Sequence, residues 1–188
     1  VDQLTTKEVI DPPKTHSEPL TLIYAGNFGL VQGLDLLIRA LKRLDEKSRN
    51  RIRVKFLGQG LKQDELQKLA AELHVEDSVS FSGPYNKNEL DEVIATQAHA
   101  LFIHLISDPS LNLTIPSKVF DCLQYNVPIV YGLSGEARHI LGTQSGNIAF
   151  QQGSEDDLKR ALEKLIDDYH VLHEASAGNR AYVKAHFM

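Results

Sequence analysis

Residues 20–44, with the sequence LTLIYAGNFGLVQGLDLLIRALKRL, contain the pattern that decides the fold. The apolar run at residues 20–25 has the length and composition of a buried strand, and residues 26–29 form a glycine-containing turn. The apolar side chains that follow are spaced three and four apart, as on one face of a helix: Leu34, Leu37, Ile38, Leu41 and Leu44. A strand, a turn and an amphipathic helix in this order predict the first unit of a parallel sheet.

The same alternation continues to the end of the chain. It predicts further strands at residues 52–57, 78–82, 98–105, 127–131 and 147–151. It predicts helices at about 62–73, 87–95, 116 onward, 137–141, after the cap Ser154, and a last one at about 169–187. The fold class is therefore α/β, with a doubly wound, parallel, Rossmann-like sheet of about six strands whose ligands bind beyond the carboxyl ends of the strands.

Composition and charge narrow the function classes. The chain has 188 residues, of which 42% are hydrophobic and 24% charged, which is typical of one folded domain. Its net charge of −5 disfavours nucleic acid and anionic lipid as main partners. No apolar run approaches the roughly 18 residues of a membrane span. The lone Cys122 favours a reducing, cytoplasmic location, and no histidine or cysteine set has metal-ligand spacing, so no metal site is expected.

The two ends of the chain suggest a division into segments. Residues 1–19 are polar and carry Pro12, Pro13 and Pro19, which predicts a linker. The first residue is Val1 and the single methionine is Met188, so we expect the chain to be a piece of a longer protein. Residues 20–188 would then form one domain.

Two stretches place phosphate-binding chemistry after predicted strands. In the turn at residues 26–29, and at Gly60 after the second strand, free backbone N–H groups could hold a phosphate, although a tight turn alone also requires glycine. At residues 116–118, a helix start combines the Ser117 hydroxyl with the Lys118 ammonium, and Asp121 follows one turn later. This arrangement suits a diphosphate with a ribose at Asp121. A surface pair of Lys118 and Asp121 is the simpler alternative.

Six short motifs, taken together, resemble the carboxyl-terminal domain of retaining GT-B glycosyltransferases. The resemblance is strongest to bacterial group 1 glycosyl transferases that build cell-surface polysaccharides, and it covers about residues 20–187. The motifs that carry it are YAGNFG at residues 24–29, QGL at 32–34, FLGQG at 56–60, VSFSG at 79–83, PSKVFD at 116–121 and VPIV at 127–130.

The resemblance assigns a role to individual residues. It implies that Gly29 and Gly60 approach the phosphates and the nucleotide, and that Phe81 to Tyr85 border the base. It implies that Ser117 and Lys118 hold the diphosphate and that Asp121 binds the ribose. The chain departs from the family in two respects: Asn27 and Gln32 stand where an arginine and a lysine are frequent, and Leu113 and Asp121 stand where the family often has two glutamates.

The resemblance also implies an activity and a set of partners. A UDP- or GDP-linked sugar would bind this domain, and its sugar would pass to an acceptor hydroxyl with retained configuration and without a metal or another cofactor. The acceptor, the catalytic groups and any peripheral membrane contact would belong to a missing amino-terminal domain, toward which the last helix packs. The fragment alone is expected to be inactive. A GT-B sugar-nucleotide epimerase and a non-catalytic binding or scaffold module are the alternatives.

Overall fold

A computed structural model describes residues 18–188 and contains one six-stranded sheet. The predicted linker, apart from its last two residues, lies outside the described residues. The strands are β1 Leu20–Asn27, β2 Ile52–Gln59, β3 Val79–Ser82, β4 Ala100–His104, β5 Ile129–Gly132 and β6 Ile148–Ala149. The helices are α1 Asp35–Arg43, α2 Glu46–Arg49, α3 Gln63–Glu72, α4 Lys87–Gln97, α5 Ser117–Leu123, α6 Gly135–Gly142, α7 Glu155–Asp167, α8 Tyr169–Ser176 and α9 Asn179–Phe187.

The strand order is β3-β2-β1-β4-β5-β6, and all neighbouring strands are parallel. This order confirms the predicted doubly wound Rossmann-like sheet. The chain changes direction across the sheet between β1 and β4, so the carboxyl ends of these two strands lie beside the topological switch point. Any ligand that follows the general rule for this fold binds there.

Successive side chains of each strand point to opposite faces, and each face supports its own core. On one face, Leu22 and Tyr24 pack with buried residues of α1, α3, α7 and α8. On the other face, Ile23 packs with buried residues of α4, α5, α6 and α9. Burial on both sides explains why β1, β4 and β5 are almost continuously apolar in sequence, whereas β2 and β3 alternate apolar and polar residues.

The predicted last helix is wrong in one respect, because it is two helices. α8 ends at Ser176 and α9 begins at Asn179, after Gly178. The side chain of Asn126 accepts a hydrogen bond from the Arg180 N–H (2.9 Å), and the side chain of Asn179 donates to the Val127 carbonyl (3.1 Å). A distant loop therefore satisfies backbone and side-chain groups at the break, and the low helix propensity of glycine favours the break there.

Three smaller features also differ from or refine the sequence prediction. The short helix α2 was not predicted. β6 has two residues, because the side chain of Asn147 accepts the hydrogen bond of the Ile129 N–H (3.1 Å) just before the strand begins. The predicted cap of α7 is confirmed, since Ser154 accepts a hydrogen bond from the Asp157 N–H (3.1 Å).

No helix within residues 18–188 combines the length and the apolar character needed to cross a bilayer.

Candidate functional site

Three glycines form a row across the carboxyl ends of β1, β2 and β3. Gly26 and Gly58 are register partners, and Gly83 directly follows β3. Each has a positive φ: 150° at Gly26, 141° at Gly58 and 114° at Gly83. A β-carbon at Gly58 would overlap the Gly26 carbonyl, and one at Gly83 would lie 3.0 Å from the Gly58 nitrogen. The glycine row is therefore a surface of bare backbone.

Lys118 extends from α5 to the end of this row. Its Nζ donates a hydrogen bond to the Ala25 carbonyl and lies 5.1 Å from the centroid of the Tyr24 ring. Burial lowers the pKa of Lys118, while Cys122 and Asp121 oppose that shift. A β-carbon at Gly26 would overlap the Lys118 ammonium, so glycine is what lets the cation reach the switch point. An anion that arrives here would favour the charged form of Lys118.

Tyr24 supports this cation, and the sequence analysis did not identify it. Its ring faces the Lys118 ammonium, and its hydroxyl donates to the Asn27 carbonyl (2.7 Å). Burial raises the pKa of the Tyr24 hydroxyl, so the side chain is neutral at physiological pH. The signal that could have found it is an aromatic residue two positions before the glycine turn.

The structure brings Asn27, Gly29 and Gln32 together in the β1–α1 loop. A β-carbon at Gly29 would lie 2.6 Å from Gln32 Oε1 and 2.7 Å from Asn27 Nδ2, so these two amides flank the glycine. Asn27 is exposed and Gln32 is half-buried. Gln32 Oε1 is buried and has no hydrogen-bond partner among the described residues. The loop therefore presents neutral amides where the family often has cations.

His104, the last residue of β4, holds the β1–α1 loop in position. Its Nδ1 lies 2.8 Å from the Gln32 carbonyl, and its Nε2 lies 3.4 Å from the Gly153 nitrogen. Burial lowers the pKa of His104, which favours the neutral imidazole. Since a carbonyl only accepts, Nδ1 carries the proton and Nε2 accepts from Gly153. The histidine thus joins β4 to the loops that precede α1 and α7, a role that its sequence position did not reveal.

Ser117 and Asp121 lie near Lys118 on α5 and are exposed. Pro116 precedes the helix and supplies no side-chain cap. The first backbone N–H groups of α5 are therefore available to a ligand or to solvent. Asp121 is one turn farther along the helix, close enough to influence the pKa of Lys118.

The three remaining predicted site residues, Phe81, Tyr85 and Gly60, also make contacts within the protein. The Phe81 ring stacks on Phe56 (centroids 4.9 Å apart) and meets Phe28 edge-on (6.1 Å), so it belongs to the core. The Tyr85 hydroxyl donates to Ser82 Oγ (3.0 Å). A β-carbon at Gly60 would lie 2.5 Å from the Phe28 carbonyl, so this glycine lets two loops pack together. That Phe81 to Tyr85 border the base, partly through backbone groups, stays a prediction.

Two exposed apolar side chains lie on the loops that precede α1 and α5. Leu113, at the position of the missing glutamate, is 89% exposed in a short 3₁₀ turn, Leu111–Leu113. Leu30 in the β1–α1 loop is 66% exposed. The side chain of Asn112 accepts a hydrogen bond from the Ser134 hydroxyl, which ties this loop to the start of α6.

Within residues 18–188 no group of three or more His, Cys, Asp or Glu side chains is placed to hold a metal ion. Whether the reaction needs a metal is untested, and metal independence stays a prediction.

The parallel sheet and the cation at its switch point define a doubly wound, Rossmann-like class of domain. Comparison with known proteins narrows this class, because residues 6–183 match the family described as glycosyl transferases group 1. The chain belongs to this family.

Individual relatives agree with this assignment. The chain is 26% identical over 175 residues to the D-inositol 3-phosphate glycosyltransferase of Stackebrandtia nassauensis, covering 89% of the chain and 38% of the relative. Its fold is similar to that of WaaG, a glycosyltransferase involved in lipopolysaccharide biosynthesis (TM-score 0.75, 18% identity, 92% of this chain and 44% of WaaG). It is equally similar to Anabaena Alr3699/HepE in complex with UDP and glucose (TM-score 0.75, 16% identity, 92% and 45%). The chain thus spans less than half the length of these relatives.

Proposed function

We propose that this chain is the donor-binding part of a retaining glycosyltransferase that uses a nucleoside-diphosphate sugar. The observation that carries the proposal is the Lys118 ammonium, which lies beside the glycine row at the topological switch point. A diphosphate placed there would meet a cation and backbone groups without a side-chain obstacle. Family membership makes sugar transfer the reaction that best uses such a site.

The proposed chemistry needs Lys118 most when the sugar leaves. As the bond between the sugar and the diphosphate breaks, negative charge grows on the departing diphosphate. A partly desolvated ammonium stabilises that charge more strongly than one in bulk water. The exposed Ser117 hydroxyl and the first N–H groups of α5 would add hydrogen bonds, and Asp121 would accept from the ribose hydroxyls. Acceptor and catalytic groups would come from outside these 188 residues.

The nucleotide and the product follow from the relatives by analogy. The HepE structure holds UDP, which supports UDP over GDP as the nucleotide. WaaG acts in lipopolysaccharide biosynthesis, which supports a role in polysaccharide or glycoconjugate synthesis at the cytoplasmic side of a membrane. Because the relatives are more than twice as long, we expect no turnover by the chain alone.

A titration of the chain with UDP, GDP and ADP, without added metal, tests the proposal. Calorimetry gives the affinity, and NMR shifts near Gly29 and Lys118 locate the site. We expect saturable UDP binding that is about 10- to 100-fold weaker in Lys118→Met, since a charge-assisted hydrogen bond contributes about 1.5–3 kcal/mol.

The control variant is Lys164→Met, which removes an exposed lysine in the last turn of α7. It should bind UDP like the unmodified chain, and circular dichroism should show that both variants are folded. Equal UDP affinity in Lys118→Met would contradict the assignment of the diphosphate to this residue.

One observation favours a second candidate, a non-catalytic binding or scaffold module. The positions of the usual basic pair and first glutamate hold the neutral Asn27 and Gln32 and the exposed Leu113. This reading requires that none of the three nucleotides binds, even when a purified full-length protein with the same residues is used. UDP-dependent sugar transfer by that protein would rule it out.

A further inference from the structure

A cavity of about 430 Å³ lies between α6 and the edge of the sheet, away from Lys118. Its residues on α6 and just beyond are spaced so that they share one helix face: Gly135, Arg138, His139, Gly142 and Thr143. The sheet contributes Tyr131 of β5 and Ala149 of β6. This volume falls within the range of small-molecule sites, about 300–1,000 Å³, and is too large for a bare inorganic ion.

The floor of the cavity contains a polar group without a partner. Tyr131 is 3% exposed, and its hydroxyl forms no hydrogen bond with any residue that the structure describes. A β-carbon at Gly142 would lie 3.3 Å from the Tyr131 hydroxyl, so the absent side chain leaves this oxygen uncovered. The Tyr131 oxygen keeps some solvent-accessible surface, so a ligand or water in the cavity can reach it and form a hydrogen bond.

The wall of the cavity is cationic. Arg138 donates to the carbonyls of Leu133 (3.5 Å) and Phe150 (3.3 Å), and it pairs with no carboxylate between residues 18 and 188. His139 is exposed beside it, and no Asp or Glu lines the cavity. In a chain with a net charge of −5, a concave surface that carries an arginine and no carboxylate is a local exception.

Other donors and acceptors in the cavity suit a hydroxyl-bearing ligand. The Thr143 hydroxyl donates to the Ile140 carbonyl (2.7 Å) and accepts from Gln144 Nε2 (3.2 Å), so one of its two lone pairs remains for a ligand. The Tyr131 hydroxyl can both donate and accept. The absent side chain of Gly142 leaves room for a flat or ring-shaped body along the helix, whereas the Asn112 carbonyl lies 2.7 Å from where a β-carbon of Gly135 would stand.

We propose that this cavity binds a small organic phosphate, with the phosphate at Arg138 and His139 and its polar body against Tyr131 and Thr143. Arginine binds a phosphate through two parallel hydrogen bonds, which a single lysine does not provide. The site is separate from the proposed donor site, because β5 and β6 lie beyond β4 on the far side of the switch point. It does not depend on the proposed sugar transfer.

Titration of the chain with glucose 6-phosphate, glucose and inorganic phosphate, followed by NMR, tests this site. We expect saturable binding of glucose 6-phosphate with shifts at Gly135, His139 and Gly142, and weaker binding of the other two probes. Arg138→Gln should weaken binding by about tenfold or more, and Tyr131→Phe by about threefold. Tyr131→Phe removes a single oxygen, so it preserves the packing of β5.

Arg39→Gln is the matched control, because it removes an exposed arginine from α1 on another part of the surface. Three outcomes would overturn the proposal: no saturable binding, equal affinity in Arg138→Gln, or displacement of the probe by UDP with shifts at Gly29. If inorganic phosphate binds as tightly as glucose 6-phosphate, the organic part of the ligand makes no useful contact, and that part of the proposal is wrong.

The phosphate could belong to a free metabolite or to a lipid headgroup, and a vesicle assay separates the two. Sedimentation with phosphatidic acid vesicles but not with phosphatidylcholine vesicles, lost in Arg138→Gln, supports the headgroup. Binding of glucose 6-phosphate without such sedimentation supports the free metabolite.

Discussion

Lys118 and Arg138 are two cations with opposite surroundings. Lys118 is half-buried, hydrogen-bonded to a backbone carbonyl and placed over the Tyr24 ring. Arg138 is exposed and lies along an open cavity. Neither forms an ion pair with a carboxylate in the part of the chain that the structure describes.

The difference shows two ways of keeping a cation available for an anion. Neutral acceptors hold Lys118 in one place without cancelling its charge, and desolvation increases the strength of any ion pair that it later forms. Arg138 is less fixed and better hydrated, so its contribution depends on the shape of the cavity. A glycine stands beside each site, Gly26 near Lys118 and Gly142 near Tyr131, and these glycines allow the two sites to be tested separately.

The largest expected effect is that of Gly26→Ala. The new β-carbon would displace the Lys118 ammonium, and φ of 150° is unfavourable for alanine. We expect a loss of roughly 2–3 kcal/mol in the free energy of unfolding, measured with urea, together with a loss of UDP binding.

Gly153→Ala is the control for backbone strain. Gly153 also has a positive φ (74°), but nothing lies within 4 Å of its added β-carbon. Gly153→Ala should lower the free energy of unfolding by about 1 kcal/mol and leave UDP binding unchanged. If both variants lose equal stability and bind UDP equally, the contact between Gly26 and Lys118 has no special role.

Asn27→Arg adds a second cation near Lys118 and tests whether it increases the affinity for UDP. Asn27 is exposed at the end of β1, where an arginine could reach the diphosphate. We expect UDP to bind about tenfold more tightly, a gain of about 1.4 kcal/mol. Asn50→Arg adds the same charge at the opposite end of the sheet, just before β2, and should change calorimetric affinity little. An equal gain in both variants would indicate a general effect of net charge.

Gly142→Ala should have a smaller effect of opposite sign on stability. Alanine in a helix is favoured over glycine by up to about 0.5–1 kcal/mol, so the melting temperature should rise slightly. The added methyl would approach the Tyr131 hydroxyl and narrow the cavity, so glucose 6-phosphate should bind more weakly. UDP affinity serves as the internal control. If Gly142→Ala binds both glucose 6-phosphate and UDP as tightly as the unmodified chain does, Gly142 does not border a binding site.

The smallest effect is a change in pH dependence at His104. Burial lowers its pKa below the ordinary value of 6.5, so the unfolded chain binds a proton at a higher pH than the folded chain. Stability is therefore lost as pH falls below about 6.5, and the loss levels off below the folded-state pKa. Melting temperatures between about pH 5 and 7.5 should depend less on pH in His104→Gln.

A second histidine defines what remains. Burial also lowers the pKa of His173, so some acid sensitivity should persist in His104→Gln. His173→Gln is the matched variant, and it should keep the part of the pH dependence that comes from His104. If the melting temperature of His104→Gln depends on pH as strongly as that of the unmodified chain, another group takes up the proton.

Much of the fold was predictable because local periodicity determines it. The strands of the sheet and most helices follow from apolar runs and from spacings of three and four, as in residues 20–44. The break between α8 and α9 was not predictable in this way, because the Asn126 side chain that satisfies Arg180 lies 54 residues away.

The candidate site was predictable in part. The resemblance identified Lys118 and the glycine turn, but not where the ammonium points, since its acceptor Ala25 lies 93 residues earlier. Tyr24 and His104 act through tertiary contacts that no spacing reveals. The resemblance implied that Phe81 to Tyr85 border a base, but the stacking of the Phe81 ring on Phe56 depends on tertiary packing that the sequence does not reveal. The Arg138 cavity has no sequence signature, because it is formed by one helix face and the edge of a sheet.

The glycine row has a consequence for how this chain can diverge over evolutionary time. At Gly26, Gly58 and Gly83, a new side chain would collide with a neighbour in the row or with Lys118 and would require a rare backbone conformation. Under the proposed function, the side chains around the row, at Asn27, Gln32 and Leu113, can change while the three glycines stay. Such changes would alter which sugar the site accepts and leave the proposed diphosphate contacts in place.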